Sequence, residues 1–156
     1  MDYRTLEQQR LEFINQKFLA TPLAGLIIWA LIGTTGIFFS DFIAVWAVFI
    51  GTGRPKNEFD TLFLYTAGQA ILVYSIAIPF FLIDYTSLPL TVGILTGLMW
   101  LSFSWIVKHW VGIFHALIRT ILVLALWYLL PEYRFTAIPF GIVLIYILTL
   151  LILNHR

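Results

Sequence analysis

His115 and Arg119 interrupt the apolar stretch Trp110–Leu130, and they stand four positions apart. In a helix that spacing puts both side chains on one face, and Lys108 and Gly112 extend the same stripe. Counted at 1.5 Å per residue from Trp110, Arg119 lies about 13 Å along such a helix. If the helix crosses a bilayer, that depth is too great for the guanidinium to reach the surface. It must then turn inward and find acceptors there. The charge suits an anion or an anionic group on a small molecule. His115 suits proton coupling, since histidine ordinarily titrates near neutral pH. A second reading stays open. Arg119 is then an internal staple, paired with Asp60 or with carbonyls freed near a helix kink, and His115 simply hydrogen-bonds across helices.

Other polar residues fall at comparable depth. Gln69 lies eight residues past Thr61, Ser102 and Ser104 lie near the end of Leu88–Val107, and Asp60 stands just before Thr61. With Lys108, His115 and Arg119 they predict a polar cavity open to one side. Asp41 and Asp84 belong to the opposite side. The signals of catalysis are missing. There is no Cys, which excludes thiol nucleophiles, thiolate zinc sites and iron–sulfur clusters. His109 and His115 are six apart and point to different faces, which is poor for haem. No two-His-carboxylate spacing, Gly-x-Ser-x-Gly elbow or phosphate loop is present. An enzyme acting on a lipid would have to work with His115, Arg119 and an Asp at a helix end. That is a poor set, so neither catalytic residues nor metal nor cofactor is expected.

The elements that must position these residues follow from composition. Of 156 residues, 61% are hydrophobic and 11% charged, against about 45–50% and about 25% in a soluble domain. Mean hydropathy is +0.95. A chain of roughly 150 residues has one core and cannot hide so much apolar surface from water. The expectation is an all-α, polytopic transmembrane bundle. The net charge of +1 offers no field for nucleic acid. The polar lead of residues 1–17 precedes the first apolar run, with no small-residue cleavage site after it, so insertion without cleavage is expected.

A spanning helix needs about 20 mostly apolar residues. Thr61–Ile83, Leu88–Val107, Trp110–Leu130 and Phe135–Leu153 each suffice. Phe18–Thr52 is too long for one helix and slightly short for two. Divided near Gly33–Gly36 or Ser40–Asp41, it gives two helices of roughly 24 Å in a hydrocarbon core about 30 Å thick. The alternative is one span plus a re-entrant or interfacial helix. Lys and Arg concentrate in cytoplasmic loops, and two crossings before Gly53 put Arg4, Arg10, Lys17, Arg54, Lys56, Lys108 and Arg156 on one side with only Arg134 opposite. One crossing divides the loop charges evenly. Six spans are therefore predicted, about 18–34, 37–52, 61–83, 88–107, 110–130 and 135–153, with both termini cytoplasmic.

Residues 1–17 are read as a polar cytoplasmic or interfacial helix with Leu11, Ile14 and Phe18 at helical spacing. Residues 18–156 form the transmembrane domain. Tyr85, Trp105, Trp110, Trp127, Tyr128 and Tyr133 make an interfacial belt. Gly93 and Gly97 form a small-xxx-small notch for close helix approach, within this chain or in a homo-oligomer. Pro79 and Pro139 should kink their helices. Six spans also permit a 3+3 inverted repeat, but the match of Ala44-Val45-Trp46 to Ala125-Leu126-Trp127 is too short to carry weight.

Leu88-Pro89-Leu90-Thr91-Val92-Gly93, with the stretch Phe103–Arg119 and its residues His109, His115 and Arg119, resembles a family of small bacterial integral-membrane proteins of unknown function. The resemblance covers mainly the C-terminal half. It implies a bacterial inner-membrane setting and supplies no activity, substrate or cofactor. Two roles remain: a small transporter or channel-like protein with Arg119 at an inward-facing site, or a non-catalytic scaffold, subunit or lipid-binding protein stapled by Arg119.

Overall fold

The computed structural model describes residues 5–17, 19–35 and 57–154. Every regular element among them is helical: α1 (Leu6–Lys17), α2 (Ala20–Thr35), α3 (Glu58–Ile83), α4 (Ser87–Val107), α5 (Val111–Leu129), a 3₁₀ turn (Pro131–Tyr133) and α6 (Arg134–Asn154). The ends of α3 to α6 fall within a few residues of the predicted spans, because polar and proline residues set them. Asn57 caps α3, its side chain accepting from the Asp60 amide at 2.9 Å. Asp84 ends α3, and its carboxylate takes the Thr86 amide at 2.9 Å to start the turn into α4. α4 ends at Lys108 in the left-handed region, φ 52°, and the His109 amide returns to the Ser104 carbonyl at 3.1 Å. Pro131 opens the turn between α5 and α6.

Helices α3 to α6 run antiparallel in succession. One end of the bundle carries Asn57 and Lys108, the other Asp84–Thr86 and Pro131–Tyr133. α4 packs against α3, α5 and α6, while α2 lies along α6. The core joins Trp29 and Ile32 of α2, Val92, Trp100 and Phe103 of α4, Val123 of α5, and Ile138, Ile142 and Tyr146 of α6. Leu72 and Ile76 of α3, Leu117 and Ile121 of α5, and Leu144, Leu148 and Leu151 of α6 face outward and are exposed. Water would not tolerate an apolar exterior of that extent, whereas hydrocarbon solvates it.

Among the described residues three helices are long and apolar enough to cross a membrane: Ser87–Val107, Val111–Leu129 and the unit Pro131–Asn154. That is fewer than the six predicted. α2 has only 16 residues, about 24 Å, and reaches spanning length only when joined to Leu6–Asn15 across a 41° bend. The predicted span 37–52 lies outside the described residues, as does Asp41. α3 has 26 residues, about 39 Å.

α1 forms as expected; of the apolar set Leu11, Ile14 and Phe18, Ile14 packs against the core and Phe18 lies outside the described residues. Leu11 is exposed, and Gln9 and Phe13 are buried instead. The docking is polar at its edge: the Glu58 amide donates to Gln9 Oε1 at 2.9 Å and Asn57 Nδ2 to the Gln9 carbonyl at 3.3 Å. Phe13 meets Phe59 and Ile106 beneath. A count of apolar spacing cannot foresee a helix that docks through an amide. Arg10 Nε donates to the Glu7 carboxylate at 3.0 Å and Lys108 Nζ reaches it at 3.4 Å. The Arg10 hydrogen bond, aided by the Arg10 and Lys108 charges, holds Glu7 down from 4.5 to about 2. A carboxylate depressed on folding stabilises above its unfolded value and loses that contribution as pH falls toward its folded one. Arg10 lies on α1 itself, so acidification from pH 4.5 toward pH 2 should loosen chiefly the α1 helix, and its docking only through the exposed Lys108 contact. Spin labels at the exposed positions Leu11 and Leu62 should move apart only slightly over that window, and Glu7→Gln should remove that response.

Candidate functional site

α5 buries Gly112, His115, Ala116, Arg119 and Val123, one stripe at helical spacing. His115 and Arg119 are both wholly enclosed, at 0% exposure. α4 and α6 each present a threonine to this stripe. Thr149 Oγ1 donates to its own helix at the Ile145 carbonyl, 2.8 Å away, and meets His115 Nδ1 at 2.8 Å. Thr96 Oγ1 likewise donates to the Val92 carbonyl at 2.8 Å and accepts from Arg119 Nη2. In each case the hydroxyl sits between a carbonyl of its own helix and the α5 side chain.

Arg119 Nε donates to the Gly93 carbonyl at 2.6 Å, and Nη1 reaches the Tyr146 hydroxyl at 3.5 Å. Its guanidinium carbon sits 4.8 Å from the centre of the Trp29 ring, a cation–π contact that ties in α2. Gly97 makes room for the stem, since a β-carbon there would come within 3.0 Å of Arg119 Cδ. The His115 ring stacks on Trp100 at 4.0 Å and meets the edge of Tyr146 at 4.7 Å. Its Nε2 has no hydrogen-bond partner among the described residues. The centre is thus a closed knot of α2, α4, α5 and α6 around the Arg119 cation, and among the described residues the acceptors bonded to it are neutral.

Of the seven residues singled out in the sequence, only His115 and Arg119 share the enclosed centre. Gln69 is exposed on α3. Asp60 is buried at the start of α3 beside its cap Asn57. Ser102 accepts from Thr66 Oγ1 at 3.1 Å, joining α3 to α4. Ser104 donates to the His109 carbonyl and closes the α4–α5 turn. Lys108 is exposed at that turn and bonded to Glu7. The inward-open cavity expected from these seven residues is replaced by a closed centre and a separate rim. A groove of about 390 Å³ runs along that rim, under α1, lined by Leu6, Glu7, Arg10, Phe59, Trp105 and Lys108.

Gly93 and Gly97 face Val123, Ile138 and Arg119 of their own chain. That notch is filled internally, so a homo-oligomer would need a different face. The residues that complete the centre, Trp29, Thr96, Trp100, Tyr146 and Thr149, are not among those the sequence singles out. Depth arithmetic points to three of them. Counting back from the ends of α4 and α6 by the distance that places Arg119 leads to Thr96–Trp100 and to Tyr146.

No curated protein and no solved structure matches the chain. A family model does, over residues 53–156, which takes in α3 to α6 and hence both ionisable residues of the centre. With two thirds of its length matched, the chain belongs to DUF7010, a family of unknown function.

Proposed function

We propose that this chain is a multi-pass protein of a bacterial inner membrane and acts as a small carrier or channel for an anion recognised by Arg119. The observation that carries the reading is the guanidinium's enclosure without a carboxylate partner among the described residues. Enclosing a cation costs several kcal/mol after relaxation, and neutral acceptors offset only part of that. An apolar side chain would pack the same space without the cost, so a retained charge calls for a negative ligand at some stage of the protein's cycle. In this reading α3, about 39 Å long, is a further span, and the Lys/Arg-rich end of the bundle faces the cytoplasm. Entry and exit require the centre to open, as alternating access does in carriers.

A second reading has its own support. Arg119 bonds α4 through Gly93 and Thr96, reaches α6 through Tyr146 and lies on α2 through Trp29. A scaffold or lipid-binding protein could use it as a staple alone. Calorimetric titration of the protein in lipid nanodiscs with nitrate and with hydrogen carbonate separates the two. The carrier reading expects saturable binding, weakened tenfold or more by Arg119→Gln at an almost unchanged melting temperature. An absence of binding, combined with unfolding of the Gln variant, would establish the staple instead.

A further inference from the structure

We propose that the ligand at Arg119 is an oxyanion that keeps a proton, and that His115 Nε2 is the acceptor that selects it. The inference rests on the anion-binding reading of Arg119. The Thr149 hydroxyl lies 2.8 Å from both the Ile145 carbonyl and His115 Nδ1, and we assign its proton to the carbonyl, which makes the ring the donor at Nδ1. Nδ1 therefore carries the proton. A second ring proton would place another cation one turn from Arg119 and would need an acceptor at Nε2, where the described residues supply none. The imidazole is neutral, and Nε2 presents a bare lone pair, buried and without a donor among the described residues.

Arg119 has the complementary deficit. A guanidinium has five N–H groups, and Arg119 makes three bonds within the protein, the one to Tyr146 long at 3.5 Å. Two N–H groups remain without acceptors among the described residues. The orphan acceptor and the orphan donors lie on one face of α5, one turn apart, about 5–6 Å between β-carbons. Both side chains touch Tyr146, His115 at its ring and Arg119 at its hydroxyl. Trp100, stacked at 4.0 Å, fixes the imidazole plane.

A ligand that completes this centre must accept from the guanidinium and donate to the imidazole. An anion with only acceptors would satisfy Arg119 and leave Nε2 bare, and a buried unsatisfied acceptor is costly. Sites built around a hydrogen bond to a ligand hydroxyl reject the analogue that lacks it. The matching class is therefore a singly protonated oxyanion.

Nitrate and hydrogen carbonate are a suitable pair, since both are planar trioxo monoanions and only the second carries a hydroxyl. In nanodiscs at a pH where hydrogen carbonate predominates, the wild type should bind it about tenfold or more tightly than nitrate. His115→Phe, which keeps a ring between Trp100 and Tyr146, should bring the two anions to similar affinity with nitrate binding retained. Arg119→Gln should weaken both. ¹⁵N NMR of the histidines in the wild type gives a readout that does not depend on any variant folding: His115 should show a protonated Nδ1 and a bare Nε2. Equal binding of the two anions by the wild type, a preference that survives His115→Phe, or a proton on Nε2 would overturn the role of His115. In each of those cases Arg119-dependent binding of nitrate would leave the anion site itself standing. Binding of neither anion would remove both.

Discussion

Gly112→Ala should leave little folded protein in detergent, with a loss of about 3 kcal/mol or more, at the top of the range for overpacking. Gly112 lies directly against the α4 backbone at Trp100 and Ser104. A β-carbon at that position would collide with the backbone carbonyl of Trp100 and come within 2.7 Å of Ser104 Cβ and 2.9 Å of the Ser104 amide nitrogen. Two of these atoms are backbone, so no rotamer change can relieve the contact. The helices cannot simply part either. The turn joining them is short, and it is closed by Ser104 bonding the His109 carbonyl and by the His109 amide returning to Ser104 at 3.1 Å. Any separation would also pull His115 off the Trp100 ring and Arg119 away from the Gly93 carbonyl. Gly68→Ala is the control, because a β-carbon there meets nothing within 4 Å. It should be neutral or gain up to about 1 kcal/mol from helix propensity. Size-exclusion profiles and thermal unfolding of the two variants check the contrast. A Gly112→Ala protein melting within a few degrees of wild type would mean that the α4–α5 contact does not hold the bundle together.

Gly112 belongs to the part of the centre that is legible in the amino-acid sequence. The stripe from Gly112 through His115 to Arg119 can be read there because spacing alone assigns residues to one helix face. Most helix ends are legible too, because Asp84, Lys108-His109 and Pro131 act locally, through turns and a missing amide; the Asn57 cap, which starts α3 at Glu58 ahead of the expected Thr61, is not. Partners are a different matter. Depth selects Gln69 but leaves the azimuth of its helix open, and its side chain turns outward. Thr96 and Thr149 escape notice because a threonine in an apolar helix resembles any other until its oxygen is seen to face a polar side chain of α5. Asp60 attracts attention as a possible counter-charge, whereas the cation proves to be held by neutral oxygens. Gly93 and Gly97 signal close approach correctly, but the group they admit includes an arginine stem, which small-residue spacing cannot specify.

Arg119→Lys should be more damaging than Arg119→Leu, although lysine preserves the charge. Arginine covers four directions with one planar group: Nε to Gly93, Nη2 to Thr96, Nη1 to Tyr146 and a flat face on Trp29. A lysine has a single nitrogen and cannot occupy those positions together. Its ammonium is also more strongly hydrated, so enclosing it costs more. The expected loss is about 2–4 kcal/mol of stability, by analogy with buried charges deprived of partners, together with tenfold or greater loss of anion binding. Leucine removes charge and donors at once. Of the acceptors left behind, Thr96 still donates to the Val92 carbonyl and Gly93 lies within α4, where its carbonyl has a helical partner; only the Tyr146 hydroxyl, whose bond to Arg119 is long at 3.5 Å, is deprived of a partner. Apolar replacement of buried ionic groups is often neutral or stabilising, so Arg119→Leu should melt near wild type while binding no anion. Thermal unfolding and anion titration of the two variants side by side test this order. If instead the leucine protein unfolds and the lysine protein does not, the charge is held for the bundle and not for a ligand. The bonds to Gly93 and Thr96 would then be the reason for an arginine at this depth.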